Sequence, residues 1–328
     1  MSAGPHDGRP RVFVTRRLPE AWRTPLTAAG LEVDAAAGDE PLSSAALRAR
    51  SVGAAALWVQ LNDTVDAALL DAAGAALRVV ATYSVGTNHI DLEACRARGV
   101  VVARTPDVLT DATADLALAL LLAAARRLPE GQRLVAGGAW TGWAPTQLLG
   151  VELRGRTLGV VGLGRIGAAV ARRARAFGMR LAYHQRRPRP EVAEPLEARF
   201  EPDLDALLPR SDVLTLHAPL TPETHHLLDA RRLRLLPRGA LLVNTARGPL
   251  VDEAALVAVL RDGHLAGAGL DVYEEEPRLQ PGLLELPNVV LAPHLGSATV
   301  DTRRAMARLC TDAIVAVLRG ERPPNAVA

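Results

Sequence analysis

The sequence predicts an α/β chain made of two doubly wound parallel-sheet domains. Three observations predict it. Short β-rich runs alternate with helical ones, first over residues 10–106 and again from residue 157. A glycine-rich turn, Gly162-Leu163-Gly164-Arg165-Ile166-Gly167, opens the second series where a strand passes into a helix. The 328 residues suit two domains of roughly 150 residues each, and 49% hydrophobic residues suffice for two cores. Strand alternating with helix calls for a parallel sheet covered on both faces.

In chain order, "PRVFVTRRLP" (10–19) begins as a strand and breaks at Pro19. "AALWVQ" (55–60), "LRVVATYSVG" (77–86) and "GVVVARTP" (99–106) read as further strands, with helices in "PLSSAALRARS" and "DAALLDAAGAA" between them. "LTDATADLALALLLAAARRL" then reads as one long helix with Thr110 or Asp111 at its N-cap. A loop containing glycines and tryptophans follows, "VAGGAWTGWAPTQLLGVEL" (135–153). The second series opens at "TLGVVGLGRIG" (157–167), and its strands include "RLAYH" (180–184), "DVLTLHAP" (212–219), "GALLVNTA" (239–246), "GAGLDV" (267–272) and "NVVLAPH" (288–294). "TRRAMARLCTDAIVAVLRG" (302–320) is an amphipathic helix closed by Gly320.

Composition excludes several functions. A net charge of +2 and 3% aromatic residues argue against nucleic acid or a membrane surface as the main partner. Cys95 and Cys310 lie far apart and suggest no disulfide framework, which fits a reducing cytoplasm. The opening "MSAGPHDGRP" lacks the apolar core of a secretion signal. The run "LALALLLAAA" (116–125) is shorter than the about 20 residues that span a bilayer. All 38 Lys+Arg residues are arginine, so Schiff-base chemistry, a phosphate-loop lysine and a catalytic lysine are excluded.

The glycine turn is a candidate phosphate cradle. Gly162 permits the tight turn, Gly164 lets backbone approach a pyrophosphate, and Gly167 allows close helix–strand packing. The helix N-terminus beginning at Arg165 and Ile166 offers N–H groups and partial positive charge to an anion. A tight turn inside an ordinary α/β domain is the bland alternative. Eighteen residues beyond Gly167, where an NAD site places an acid for the ribose hydroxyls, stands Gln185. Arg186 and Arg187 follow. Without a carboxylate to repel it, a 2′-phosphate is favoured by charge-assisted hydrogen bonds. NADPH is therefore expected over NADH. NADH remains possible if these arginines, with Arg189, form only a solvated basic loop.

Three segments at strand ends carry candidate catalytic groups: "NTARG" with Arg247, "GLDVYEEEP" with Asp271 and Glu276, and "APHLGSAT" with His294. Ligands of doubly wound sheets sit outside the carboxyl ends of strands, so these groups can converge on a cofactor. Arginine grips a planar carboxylate with two parallel hydrogen bonds. Histidine oriented by glutamate is a general acid. Singly, each has a plainer reading: a structural loop histidine, a solvated acidic turn, a helix-capping arginine. The pair His225-His226 also falls in an expected loop.

Together, "YSVGTNHIDLEACRARGVVVARTPDVLTDATADLALALLLAAARRL", "GRTLGVVGLGRIG", "VNTARGPLVDEAALVAVLRDGHLAGAGLDVYEEEP" and "LAPHLGSAT" cover most of the chain. In them the sequence resembles the D-isomer-specific 2-hydroxyacid dehydrogenase family. "RVFVTRRLP", "GGAWTGWAP" and "RRPRPE" are most similar to its glyoxylate/hydroxypyruvate reductases. The resemblance implies NADPH-dependent reduction of a small 2-keto acid. Arg247 would bind the carboxylate, His294 would act as acid/base, and Glu276, directly before Pro277, would be its partner. Val85 and Gly86 would contact the substrate through their backbone, and Ser297 would lie near it. Pro219, Thr245, Asp271 and Gly296 would line the nicotinamide half.

The resemblance also implies a Rossmann cofactor domain (108–297) inserted in a flavodoxin-like substrate domain (1–107 and 298–328), with the active site in the cleft between them. It implies a homodimer supported by the helix from Leu109, with Trp140 and Trp143 either reaching the neighbouring site or packing in the dimer core. Three other readings compete: an NAD-linked dehydrogenase of another 2-hydroxy acid, a nucleotide-sensing corepressor-like binding protein, and a methyltransferase. The Arg, Glu and His argue for turnover, and the missing acid with the late histidine argues against the last.

Overall fold

A computed structural model of the chain describes residues 8–328. The chain divides into two compact units, one running to Leu109 and resuming at Thr299–Ala328, the other Thr110–Ala298.

The first unit holds β1 (Arg11–Val14), α1 (Glu20–Ala28), β2 (Glu32–Ala35), α2 (Ser44–Ser51), β3 (Ala56–Val59), α3 (Ala67–Ala73), β4 (Val79–Thr82), α4 (Leu92–Ala97) and β5 (Val101–Ala103). Its strands are parallel in the order β2-β1-β3-β4-β5, the flavodoxin-like order. β3 and β4 are buried along their whole length, as a sheet covered on both faces requires. Phe13, Leu57, Leu69, Val80 and Val102 belong to one core on this sheet. Ser43, Asp66 and Asp91 each accept a backbone N–H three residues on, capping α2, α3 and α4 at about 1 kcal/mol apiece.

The second unit holds α5 (Thr110–Ala125), α6 (Leu128–Ala136), β6 (Thr157–Val161), α7 (Arg165–Ala176), β7 (Arg180–His184), α8 (Pro190–Ala193) and β8 (Arg199–Phe200). It continues through α9 (Leu204–Leu207), β9 (Val213–Leu216), α10 (Ala230–Leu235), β10 (Ala240–Asn244), α11 (Glu253–Arg261), β11 (Leu265–Leu270) and β12 (Val289–Leu291). These strands are parallel in the order β12-β11-β10-β9-β6-β7-β8. Counted from β6, this is the dinucleotide-binding order with one further strand, and its direction reverses between β6 and β9. One core, including Leu207, Leu242 and Leu256, draws on α9, α10 and α11. The other, including Leu120, Leu158 and Ala171, draws on α5 and α7. The last helix, α12 (Val300–Leu318), returns to the first unit, where it packs on α1 and β4. Gly320 follows it at φ 86°.

The structure corrects several local expectations. The helix expected from Leu109 is α5, and a second helix not assigned from the sequence, α6, follows it. Arg127 takes a left-handed conformation (φ 52°), and Pro129 lies in the first turn of α6. Thr110 and Asp111 lie inside α5 rather than at its cap. Asp111 and Asp115 instead pair with Arg173 of α7, at 3.0 and 2.6 Å. Pro19 is the N-cap position of α1, so it begins a helix as well as ending a strand region. Among the described residues, no helix is long and apolar enough to cross a membrane.

Candidate active site

The glycine turn lies where β6 meets α7. Gly162 has φ 93°, and a Cβ there would stand 2.8 Å from the carbonyl oxygen of His217, just beyond β9. A Cβ on Gly167 would stand 2.1 Å from the Gly162 carbonyl oxygen, so α7 can approach the turn only without one. Gly164 is the N-cap of α7 and supplies no side-chain acceptor; a Cβ there would meet nothing within 4 Å. The turn thus leaves open space beside the N–H end of a twelve-residue helix, which Arg165 and Ile166 begin. Ile166 packs against the core, which holds the turn on the sheet.

Gln185 follows β7. Its Oε1 accepts the Leu163 N–H at 3.0 Å, and its amide donates to the Arg187 carbonyl. The residue that stands in place of a carboxylate therefore ties the glycine turn to the arginine loop. Arg186 and Arg187 are exposed. The Glu223 carboxyl is held below its ordinary value by a hydrogen bond with Thr221, with a smaller contribution from the Arg186 charge. Arg189 reaches back to the Leu163 carbonyl at 3.5 Å while pairing with Glu191 at 2.8 Å. Arg189 is thus tied to the turn, a contact that its place in a basic run does not signal.

Beyond β9 and β10 stand Pro219 and Thr245. Pro219 is exposed, and its carbonyl accepts the Thr224 hydroxyl at 2.8 Å. The Thr245 hydroxyl is buried and has no hydrogen-bond partner among the described residues. A buried orphan hydroxyl suits a ligand's polar group. With the open space at Gly164, it fits a dinucleotide lying across the carboxyl ends of these strands.

Arg247 is aimed by Asn244, the buried last residue of β10. Its side-chain oxygen accepts the Ala246 N–H at 3.0 Å, and its amide donates to the Arg247 carbonyl at 2.9 Å. The guanidinium itself donates to the Ala246 carbonyl at 2.6 Å. Burial pushes the Arg247 guanidinium below its ordinary value, and the charge of Glu276 opposes that shift.

Asp271 follows β11 and is only 1% exposed. Its two carboxylate oxygens accept the N–H groups of Leu295 (2.6 Å) and Gly296 (2.8 Å), and its carbonyl accepts that of His294 (2.9 Å). Burial raises its carboxyl above the usual value, against the pull of these N–H groups and of His294. The Thr113 hydroxyl on α5 donates to the Gly296 carbonyl at 3.0 Å. So clamped, His294 is held at φ 55° and its Nδ1 lies 2.9 Å from Oε2 of Glu276. The other oxygen of Glu276 accepts the Tyr273 N–H at 3.1 Å. Partial burial raises the Glu276 carboxyl, but the His294 hydrogen bond and charge, the Tyr273 N–H and the Arg247 charge outweigh it and leave it below its ordinary value. Both side chains stay about 30% exposed, at 29% and 30%, so the ring keeps an open edge.

Arg247, Glu276 and His294 thus form one electrostatic group within the second unit. Asp271, expected at the nicotinamide, grips the histidine loop, and Thr113 joins it; no sequence spacing signals either contact. Ser297 is half-buried beside Gly296. Val85 and Gly86 lie in the first unit after β4, where the Ser84 hydroxyl donates to the Gly86 carbonyl at 2.6 Å.

Residues 118–296 match the family model described as "D-isomer specific 2-hydroxyacid dehydrogenase, NAD binding domain". The chain is 46% identical to a glyoxylate reductase of Thermococcus onnurineus, over 97% of this chain and 96% of that one. Its fold matches a crystal structure of a Thermus thermophilus protein at TM-score 0.91 and 52% identity, covering 97% of this chain and all of the other. A Sinorhizobium meliloti NADPH-dependent glyoxylate/hydroxypyruvate reductase, solved with NADP and malonate, matches at TM-score 0.87 and 38% identity, over 98% and 97% of the two chains. The chain belongs to the D-isomer-specific 2-hydroxyacid dehydrogenase family and is an NAD(P)-dependent oxidoreductase.

Proposed function

We propose that this enzyme reduces glyoxylate and hydroxypyruvate to glycolate and D-glycerate, with NADPH as its preferred cofactor. The observation that carries the proposal is the 2.9 Å His294–Glu276 pair with Arg247 beside it. The reductase names of its relatives and the NADP-bound neighbour support the substrate class and the cofactor.

Bound nicotinamide supplies the hydride. The backbone at Gly162, Gly164 and Gly167 receives the pyrophosphate, and Arg186 and Arg187 bind the 2′-phosphate. Thr245, Pro219 and Gly296 border the nicotinamide half, while Asp271 holds the loop that carries His294. Arg247 grips the 2-keto acid's carboxylate through two N–H groups and polarises its carbonyl. Glu276 engages Nδ1 of His294, which leaves Nε2 to give its proton to the developing alkoxide. The product is the 2-hydroxy acid, and the ring is left neutral.

Exposed apolar side chains on α6 and the loop beyond it, among them Leu128, Val135, Trp140 and Trp143, support a homodimer in which a second copy covers them. The functional test is a panel of 2-keto acids assayed by loss of reduced-nicotinamide absorbance. Glyoxylate and hydroxypyruvate with NADPH are expected to give the highest kcat/KM. A higher value with NADH, or with a bulky 2-keto acid, overturns the corresponding part.

A further inference from the structure

We infer that His225, His226 and Glu274 form a binding site for a divalent cation of the zinc class, separate from the catalytic group. One ligand atom from each lies within 4.8 Å of the other two. His226 Nε2 and a Glu274 carboxylate oxygen already meet in a hydrogen bond.

Adjacent residues normally direct their side chains apart. Here His226 adopts φ 48°, a left-handed conformation that costs about 1–2 kcal/mol for a residue with a Cβ. The turn is held by the His226 N–H on the Pro249 carbonyl at 2.8 Å and the His225 N–H on the Thr221 carbonyl at 3.0 Å. It brings the two imidazoles side by side, with ring centroids 4.1 Å apart. His225 is exposed and the other two residues are half-buried, so the cluster is open on one side.

Two neutral imidazoles and one carboxylate are the ligand types zinc takes, with ligand atoms about 2.0–2.2 Å from the metal. Three protein ligands leave a fourth position for water. The donors come from two segments. His225 and His226 lie in the stretch between β9 and α10, and Glu274 lies in the turn after β11. A cation would clasp these segments together. Glu274 is also tied from behind, where its N–H donates to Glu253 Oε1 at 2.8 Å. The clasp would therefore brace the turn that carries Glu276 without using the catalytic carboxylate itself.

The test uses untagged, metal-stripped enzyme titrated with Zn2+ by calorimetry and with Co2+ by its visible absorption. One equivalent should bind, with a Co2+ spectrum of four- or five-coordinate nitrogen and oxygen ligation. His225→Ala removes an exposed ring, and Glu274→Gln keeps the shape of the carboxylate. Each should weaken binding by about tenfold or more, because even outer-shell partners of metal ligands contribute 10–100-fold. Thermal melts of the metal-free variants confirm folding. No saturable binding by the wild type overturns the proposal, as does undiminished affinity in folded His225→Ala.

Discussion

Nδ1 of His294 and Oε2 of Glu276 stand 2.9 Å apart across 18 residues of chain. Each partner is fixed from behind, the histidine loop by Asp271 and the glutamate by the Tyr273 N–H. Glu276→Gln keeps a hydrogen-bonding group in this place but removes its charge. It should lower kcat by about 10–100-fold, part of what a positioned general acid contributes. Steady-state kinetics with glyoxylate check it, and an unchanged kcat removes Glu276 from the mechanism.

The arginine loop gives a cofactor prediction. Replacing Arg186 and Arg187 together by Ala should raise the KM for NADPH by about tenfold, near the low end for charge-assisted hydrogen bonds at an exposed site. The KM for NADH should hardly move. Equal effects on the two cofactors would mean that neither arginine touches the 2′-phosphate.

His217 gives a pH prediction. Its Nε2 meets the Thr215 hydroxyl at 2.9 Å, and burial pushes its pKa down to about 3. Above the unfolded value near 6.5, the ring is neutral in both states and contributes no pH dependence. Below it, the unfolded chain takes up a proton that the folded one refuses, so stability falls as pH drops from about 6.5 towards 3. The loss is at most about 1.4 kcal/mol per pH unit. Melting curves from pH 7.5 to 4.5 should show that decline, with a shallower one in His217→Asn. Parallel declines would locate the acid sensitivity elsewhere.

Much of this architecture was legible because its elements are strongly patterned. The run at 180–184 is β7 itself, and the glycine spacing at 162–167 marks the β6–α7 turn. What escaped was written against the pattern. β2 carries Glu32 and Asp34 and is only half-buried; it is an edge strand, with Asp34 paired to Arg11 and Arg50. β8 has two residues, too few for any periodicity. α6 escaped because it starts directly after the expected helix, and nothing at Arg127 itself announces the left-handed residue that separates the two. Local sequence also identified Arg247, Glu276 and His294 as chemically able groups. It could not show that Asp271 reaches the Leu295 and Gly296 backbone, or that His226 turns towards Glu274, since those contacts exist only once the strands are side by side.

The most direct test is His294→Ala, measured for both turnover and cofactor binding. Transfer of a proton from Nε2 predicts that kcat falls by about 10²–10⁴-fold while the Kd for NADPH stays close to wild type. Turnover retained within a few-fold of wild type would contradict the assignment of His294 as the acid.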